Sequence, residues 1–183
     1  MKLIFDLVGL AVAMPLAHAL TPVTQGNGVL QWLAKLPSGK AITGEVFISQ
    51  GPGGNGIGVQ AAFAGLPTTG GPFLYHIHER PLSADGNCSS AGPHLIPYTS
   101  EYPCPNVDRP EDCEAGDLSG KHGKVDGTEY SANYVDDYVS NNDSPGCGQC
   151  MTSRSLVVHF ANKTAIACAN FTLIGTQSFS PPG

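Results

Sequence analysis

From residue 42 onward, apolar and polar residues alternate in short runs separated by glycine and proline. The runs "ITGEVFISQ" (42–50), "GIGVQAAFAGL" (56–66), "GPFLYHIHE" (71–79), "RSLVVHF" (154–160) and "TAIACANFTLI" (164–174) are rich in β-branched and aromatic residues, so each predicts a strand. "GPGGNG" and "PTTGG" supply turns between them, where glycine adopts positive φ at little cost. "VLQWLAKL" (29–36) comes nearest to a helical period but fits a strand equally well. The region 81–152 is poor in aliphatic residues and holds five of the six cysteines. The pattern predicts one all-β sandwich or barrel carrying two long loops, one from "RPLSADG" to "KHGK" and one from "YSANY" to "MTS".

Composition narrows the class. With 183 residues the chain is long enough for one domain with a proper core. Charged residues are 13% of it, beside 23 glycines and 15 prolines, which argues against a helical protein; an ordinary aliphatic content argues against disorder. A net charge of −6 disfavours nucleic acid or an anionic membrane as partner. The start, "MKLIFDLVGLAVAMPLAHAL", has a basic residue, an apolar run and Ala17-His18-Ala19, the pattern of a secretory signal peptide over residues 1–19. That leaves residues 20–183 as the domain. No other stretch is apolar and long enough to span a bilayer, and "GTQSFSPPG" carries no lipid-anchor tail.

Six cysteines in an exported chain fit disulfides better than catalysis or zinc. Asn87, Asn142, Asn162 and Asn170 each open a glycosylation sequon, which agrees with that compartment. The histidines change the picture most. His76 and His78 lie two apart in a predicted strand, so both point to one face and can hold one ion. His94 follows in "AGPH", and His159 sits in the apolar run "LVVHF", where an imidazole needs a partner. Those four form a candidate metal site.

The motifs "FLYHIHE", "CSSAGPH", "GDLSGKHG" and "VVHF…ACANF" resemble, in order, those of the copper/zinc superoxide dismutase family. The resemblance runs from about "GEVFISQ" to "CANFTLI" and is loose in the loops. It implies an eight-stranded Greek-key β-barrel, copper held by His76, His78, His94 and His159, and superoxide as substrate, with His94 passing a proton to the departing peroxide. Four imidazoles without a thiolate suit copper, and dismutation needs an ion that cycles by one electron, which zinc cannot do. Between His94 and Asp117 there is no histidine, so the family's zinc site is missing and no zinc is expected. "CEAGDLSGKHG" resembles instead the fungal extracellular copper-only dismutases, which implies Glu114 beside His94 and keeps Asp117 at the site. His122, in the same stretch, reads as an exposed turn histidine.

The resemblance also implies a Cys88–Cys168 disulfide. The other four cysteines allow three pairings, of which local pairing, Cys104–Cys113 and Cys147–Cys150, is preferred; "CGQC" could also be a redox pair, but it stands in a glycine-rich loop. One departure touches activity. The family's arginine three residues before the second disulfide cysteine is Ala165 here, leaving Lys163, Lys121 or Arg154 as possible substitutes. The expectation is therefore a secreted, monomeric copper-only superoxide dismutase, free or associated with a cell wall. The alternatives are a non-catalytic or weakly active extracellular copper-binding protein on the same fold, and a glycosylated wall protein with a relict site.

Overall fold

Along Ile57–Ala64 every second residue is buried, and Ile57, Val59, Ala61 and Phe63 all face one core. The same period recurs along the chain and builds a single antiparallel sheet. The computed structural model describes residues 29–176, apart from positions 99, 101 and 145; the expected signal segment 1–19 lies outside them. Its strands are β1 (Leu30–Lys35), β2 (Thr43–Gln50), β3 (Ile57–Ala64), β4 (Leu74–His78), β5 (Glu129–Asp136), β6 (Ser155–His159) and β7 (Ala165–Thr176), with one short helix, α1 (Leu118–His122). They are ordered β4-β6-β7-β1-β2-β3-β5.

The two edge strands of that order curl toward each other. The Tyr75 hydroxyl on β4 hydrogen-bonds the Tyr130 and Tyr134 hydroxyls on β5 at 3.1 and 3.0 Å. Phe73 and Val125 exchange backbone bonds of 2.8 and 2.9 Å just ahead of those strands. Seven strands are thus present among the described residues, not the eight expected. The bridge at Val125 stands where another strand would close the barrel, and Asp126-Gly127 turns the chain away at once.

One open sequence reading is settled and one changes. "VLQWLAKL" is a strand, with Trp32 and Ala34 buried and the Trp32 indole donating to the Asn141 carbonyl at 2.8 Å. The segment "YSANY", read as the start of a loop, is the heart of β5, which pairs along its length with β3. Its inward residues are Tyr130, Ala132, Tyr134 and Asp136, so the two-residue period is real but lacks the aliphatic side chains that announce a strand.

In β4 and β6 all ten residues are buried, because both faces are covered. Tyr75, Ile77, Leu156 and Val158 face the barrel core, each such apolar side chain contributing about 1.5–3 kcal/mol. Across the β4–β6 ladder Leu74 pairs with His159, His76 with Val157 and His78 with Ser155, so the three histidines share the outer face. The long loop following β4 covers that face, fastened to β7 by the Cys88–Cys168 disulfide. Around that cross-link Ala91, Val157 and Cys168 form a second, small apolar cluster.

Candidate metal centre

His76 and His78 come from alternate positions of β4, and His159 from the end of β6. His94 joins them because its loop adds to the free edge of β4: Leu95 N–H donates to Ile77 at 2.9 Å, and Glu79 N–H donates to Pro93 at 3.0 Å. The segment 114–117 then closes over the same edge, with Ile77 N–H donating to Gly116 at 2.9 Å. Glycine is required at 116, since a Cβ there would run into the Ile77 carbonyl oxygen. One ring nitrogen from each of the four histidines lies within 4.8 Å of the others.

Each ring is oriented by an oxygen acceptor. His76 Nε2 donates to Asp117 Oδ1 at 3.2 Å, His78 Nδ1 to the Gly92 carbonyl at 2.9 Å, His94 Nδ1 to Glu114 Oε2 at 2.5 Å, and His159 Nδ1 to the Lys163 carbonyl at 3.0 Å. Carbonyls accept only, which fixes the tautomers of His78 and His159. The opposite nitrogens of His78 and His159 therefore keep lone pairs, and one nitrogen of each of the four rings turns inward. His76 Nδ1 is buried with no hydrogen-bond partner, while His78 Nε2 and His159 Nε2 face each other at 3.3 Å. Burial pushes the His76, His78 and His159 imidazoles down to about 4, so all three are neutral at neutral pH. Four converging ring nitrogens, three of them on neutral imidazoles, fit a bound cation. All six cysteines are in disulfides, Cys88–Cys168, Cys104–Cys113 and Cys147–Cys150, so thiolate does not compete for it.

The carboxylates are already committed. Burial would raise the Asp117 carboxyl, but His76 and the Gly120 N–H, which caps α1 at 2.7 Å, outweigh it and hold it low. Glu114 spends Oε2 on His94. His122 is not an exposed turn residue: it ends α1, stacks on Tyr134 at 4.1 Å and meets buried Asp136 at 2.7 Å. Ala165 pairs with His159 in the β6–β7 ladder and is exposed. Of the sequon asparagines, Asn87, Asn162 and Asn170 are exposed and Asn142 is half-buried.

One neighbour of the site was not legible in the sequence. Tyr102 stands edge-on to His94 and His76, with ring centres 4.7 and 5.6 Å apart, and burial pushes its phenol up to about 12. It comes from a loop with no periodic pattern. Its only local signal is Cys104, whose bond to Cys113 ties this segment to the one bearing Glu114.

A family model described as copper/zinc superoxide dismutase matches residues 42–167. The chain is 36% identical over 152 residues to a cell surface Cu-only superoxide dismutase 5 of Candida albicans, covering 82% of this chain and 64% of that protein. It is 39% identical over 117 residues to a cell surface superoxide dismutase [Cu-Zn] 6 of the same organism, covering 64% of this chain and 36% of that protein. The chain thus spans between about one third and two thirds of the length of these relatives. Among solved structures, Candida albicans superoxide dismutase 5 in its Cu(II) form superposes with a TM-score of 0.71 at 32% identity, over 82% of this chain and 95% of that one.

Proposed function

Because the chain belongs to the copper/zinc superoxide dismutase family, we propose that it is a secreted, copper-only superoxide dismutase converting superoxide to oxygen and hydrogen peroxide. One copper ion, cycling between Cu(II) and Cu(I), supplies the one-electron chemistry. The reading is carried by the four imidazoles whose inner nitrogens have lone pairs and whose outer nitrogens are all tied to oxygen. His76 Nδ1 and the Nε2 atoms of His78, His94 and His159 are the ligand atoms in this reading.

His94 and Glu114 have a further part. Glu114 accepts the Nδ1 proton of His94 and so presents Nε2 to the metal. When Nε2 takes up a proton for peroxide, the same carboxylate stabilises the imidazolium. Asp117 orients His76 and starts α1. Both carboxylates are used within the copper site, which leaves no donor set for zinc among the described residues; relatives named Cu-only fit this reading, beside others named [Cu-Zn]. Three disulfides and relatives named for the cell surface support an extracellular location.

The competing reading is a copper-binding protein with little turnover, motivated by Ala165 in place of a cation. Stopped-flow superoxide decay on copper-reconstituted protein of measured metal content separates the two. Rapid second-order decay supports the dismutase. Full copper occupancy without acceleration over free buffer would leave only the binding protein.

A further inference from the structure

We propose that Lys163 supplies the positive charge that draws an anion to this centre, a role resting on the dismutase reading above. The substrate is an anion, and the site holds two carboxylates, Glu114 and Asp117. A cation near its mouth therefore decides how well superoxide is collected. Two of the three candidates are occupied elsewhere. Lys121 is buried, paired with Asp136 at 2.6 Å and donating to the Ala115 carbonyl at 2.7 Å. Arg154 spends its guanidinium on the carbonyls of Cys150, Glu79 and Gly148.

Lys163 is different. Its backbone carbonyl holds His159, so its position is locked to a ligand. Its ammonium lies 4.5 Å from the centre of the Tyr102 ring, and that ring touches His94 at 4.7 Å. The charge is thus within roughly 10 Å of His94, about one Debye length at 0.1 M salt. Its φ is +71°, a left-handed value at which glycine or asparagine is the easier residue. That value belongs to the turn joining β6 to β7, where the Lys163 N–H donates to the Phe160 carbonyl at 2.9 Å. A cavity of about 280 Å³ is lined by His76, Asp117, Tyr102, Lys124 and Lys163, so the lysine borders an opening that reaches one of the four rings. Among the described residues Lys163 pairs with no carboxylate, and the cation–π contact keeps its charge available.

The test titrates azide, a small anion, into the copper-loaded full chain and follows its absorption band. It compares the natural protein, Lys163→Met, Lys163→Arg and Lys40→Met, at equal copper content and low ionic strength. Lys163→Met should raise the azide Kd about three- to tenfold and flatten its dependence on salt. Lys163→Arg should restore both, and Lys40→Met, an exposed lysine elsewhere, should change neither. Superoxide decay rates should follow the same order. An unchanged Kd in Lys163→Met, or an equal rise in Lys40→Met, would overturn the proposal, the second result meaning that only net charge matters. A lysine effect on azide with no superoxide turnover in any variant would keep Lys163 as the anion-drawing residue and sink the dismutase reading instead.

Discussion

His78 and His159 direct their Nε2 lone pairs at each other across 3.3 Å, each having committed its Nδ1 proton to a backbone carbonyl. Neither ring can turn to relieve the contact without losing that bond. The centre is therefore a set of mutually repelling donors under cover, which a bound cation would make favourable. Copper loading should raise the apparent Tm by at least about 10 °C, since saturating a tight site adds several kcal/mol. Calorimetry of the apo and copper-reconstituted forms checks this, and equal Tm values would exclude a preformed site.

The same burial gives the apo-protein a pH signature. Unfolded histidines titrate near 6.5, whereas His76, His78 and His159 are held at about 4 in the fold. Between those values the unfolded chain binds more protons, so stability is complete above about 6.5 and falls as pH drops toward 4. Urea denaturation of apo-protein at pH 7.5, 5.5 and 4.5 should show a falling midpoint. A flat profile would mean that the rings are hydrated and free.

Glu114 acts on the centre through His94 Nδ1, at 2.5 Å. Glu114→Ala should weaken Cu(II) binding by about 10- to 100-fold, because the ring loses its orientation and a basicity-raising partner. Glu114→Gln keeps an acceptor oxygen and should lie between. Competition titration with a chelator of known affinity measures the difference, and Ala and Gln variants that match the natural protein would reduce Glu114 to a bystander.

Asp136 is a matter of stability, not of the metal. Burial alone would raise its carboxyl, but the Lys121 ammonium at 2.6 Å and His122 at 2.7 Å hold it at about 2. A depressed carboxylate contributes above its unfolded pKa, near 4, and that contribution is lost as pH falls toward 2. Asp136→Asn would strand the Lys121 charge and should cost about 3–5 kcal/mol in urea unfolding at pH 7. The copper content of the folded fraction should not change.

The barrel could be foreseen wherever inward positions carry aliphatic or large aromatic residues, as in β2, β3 and β6. It was missed at β5, where Tyr130, Ala132, Tyr134 and Asp136 close the core through hydroxyls and an ion pair. The histidines were legible because strand geometry puts His76 and His78 on one face. Glu114 was reached only through resemblance, since twenty residues of irregular loop separate it from His94. Tyr102 had no such route. Its place depends on the Cys104–Cys113 bond and on how a long loop lies over the sheet, neither of which any local period encodes.

The Cys88–Cys168 bond should be worth on the order of 4 kcal/mol, because it closes a span of 80 residues. Replacing both cysteines by serine should lower the urea midpoint accordingly and weaken copper binding as well. An unaltered copper affinity would show that the loop holds His94 without the cross-link.

That bond also sets an order of events in the life of the chain. Three donors stand on two neighbouring strands and come together as soon as the sheet zips; the fourth arrives with a loop that a covalent link fastens down. If the cross-link is what holds His94 in place, a reduced chain would present a three-armed grip that oxidation closes. Metal capture is in this way scheduled after thiol chemistry. On the copper reading, a chain whose Cys88 and Cys168 are still thiols would be the poorer collector of the ion, and the oxidised chain the better one.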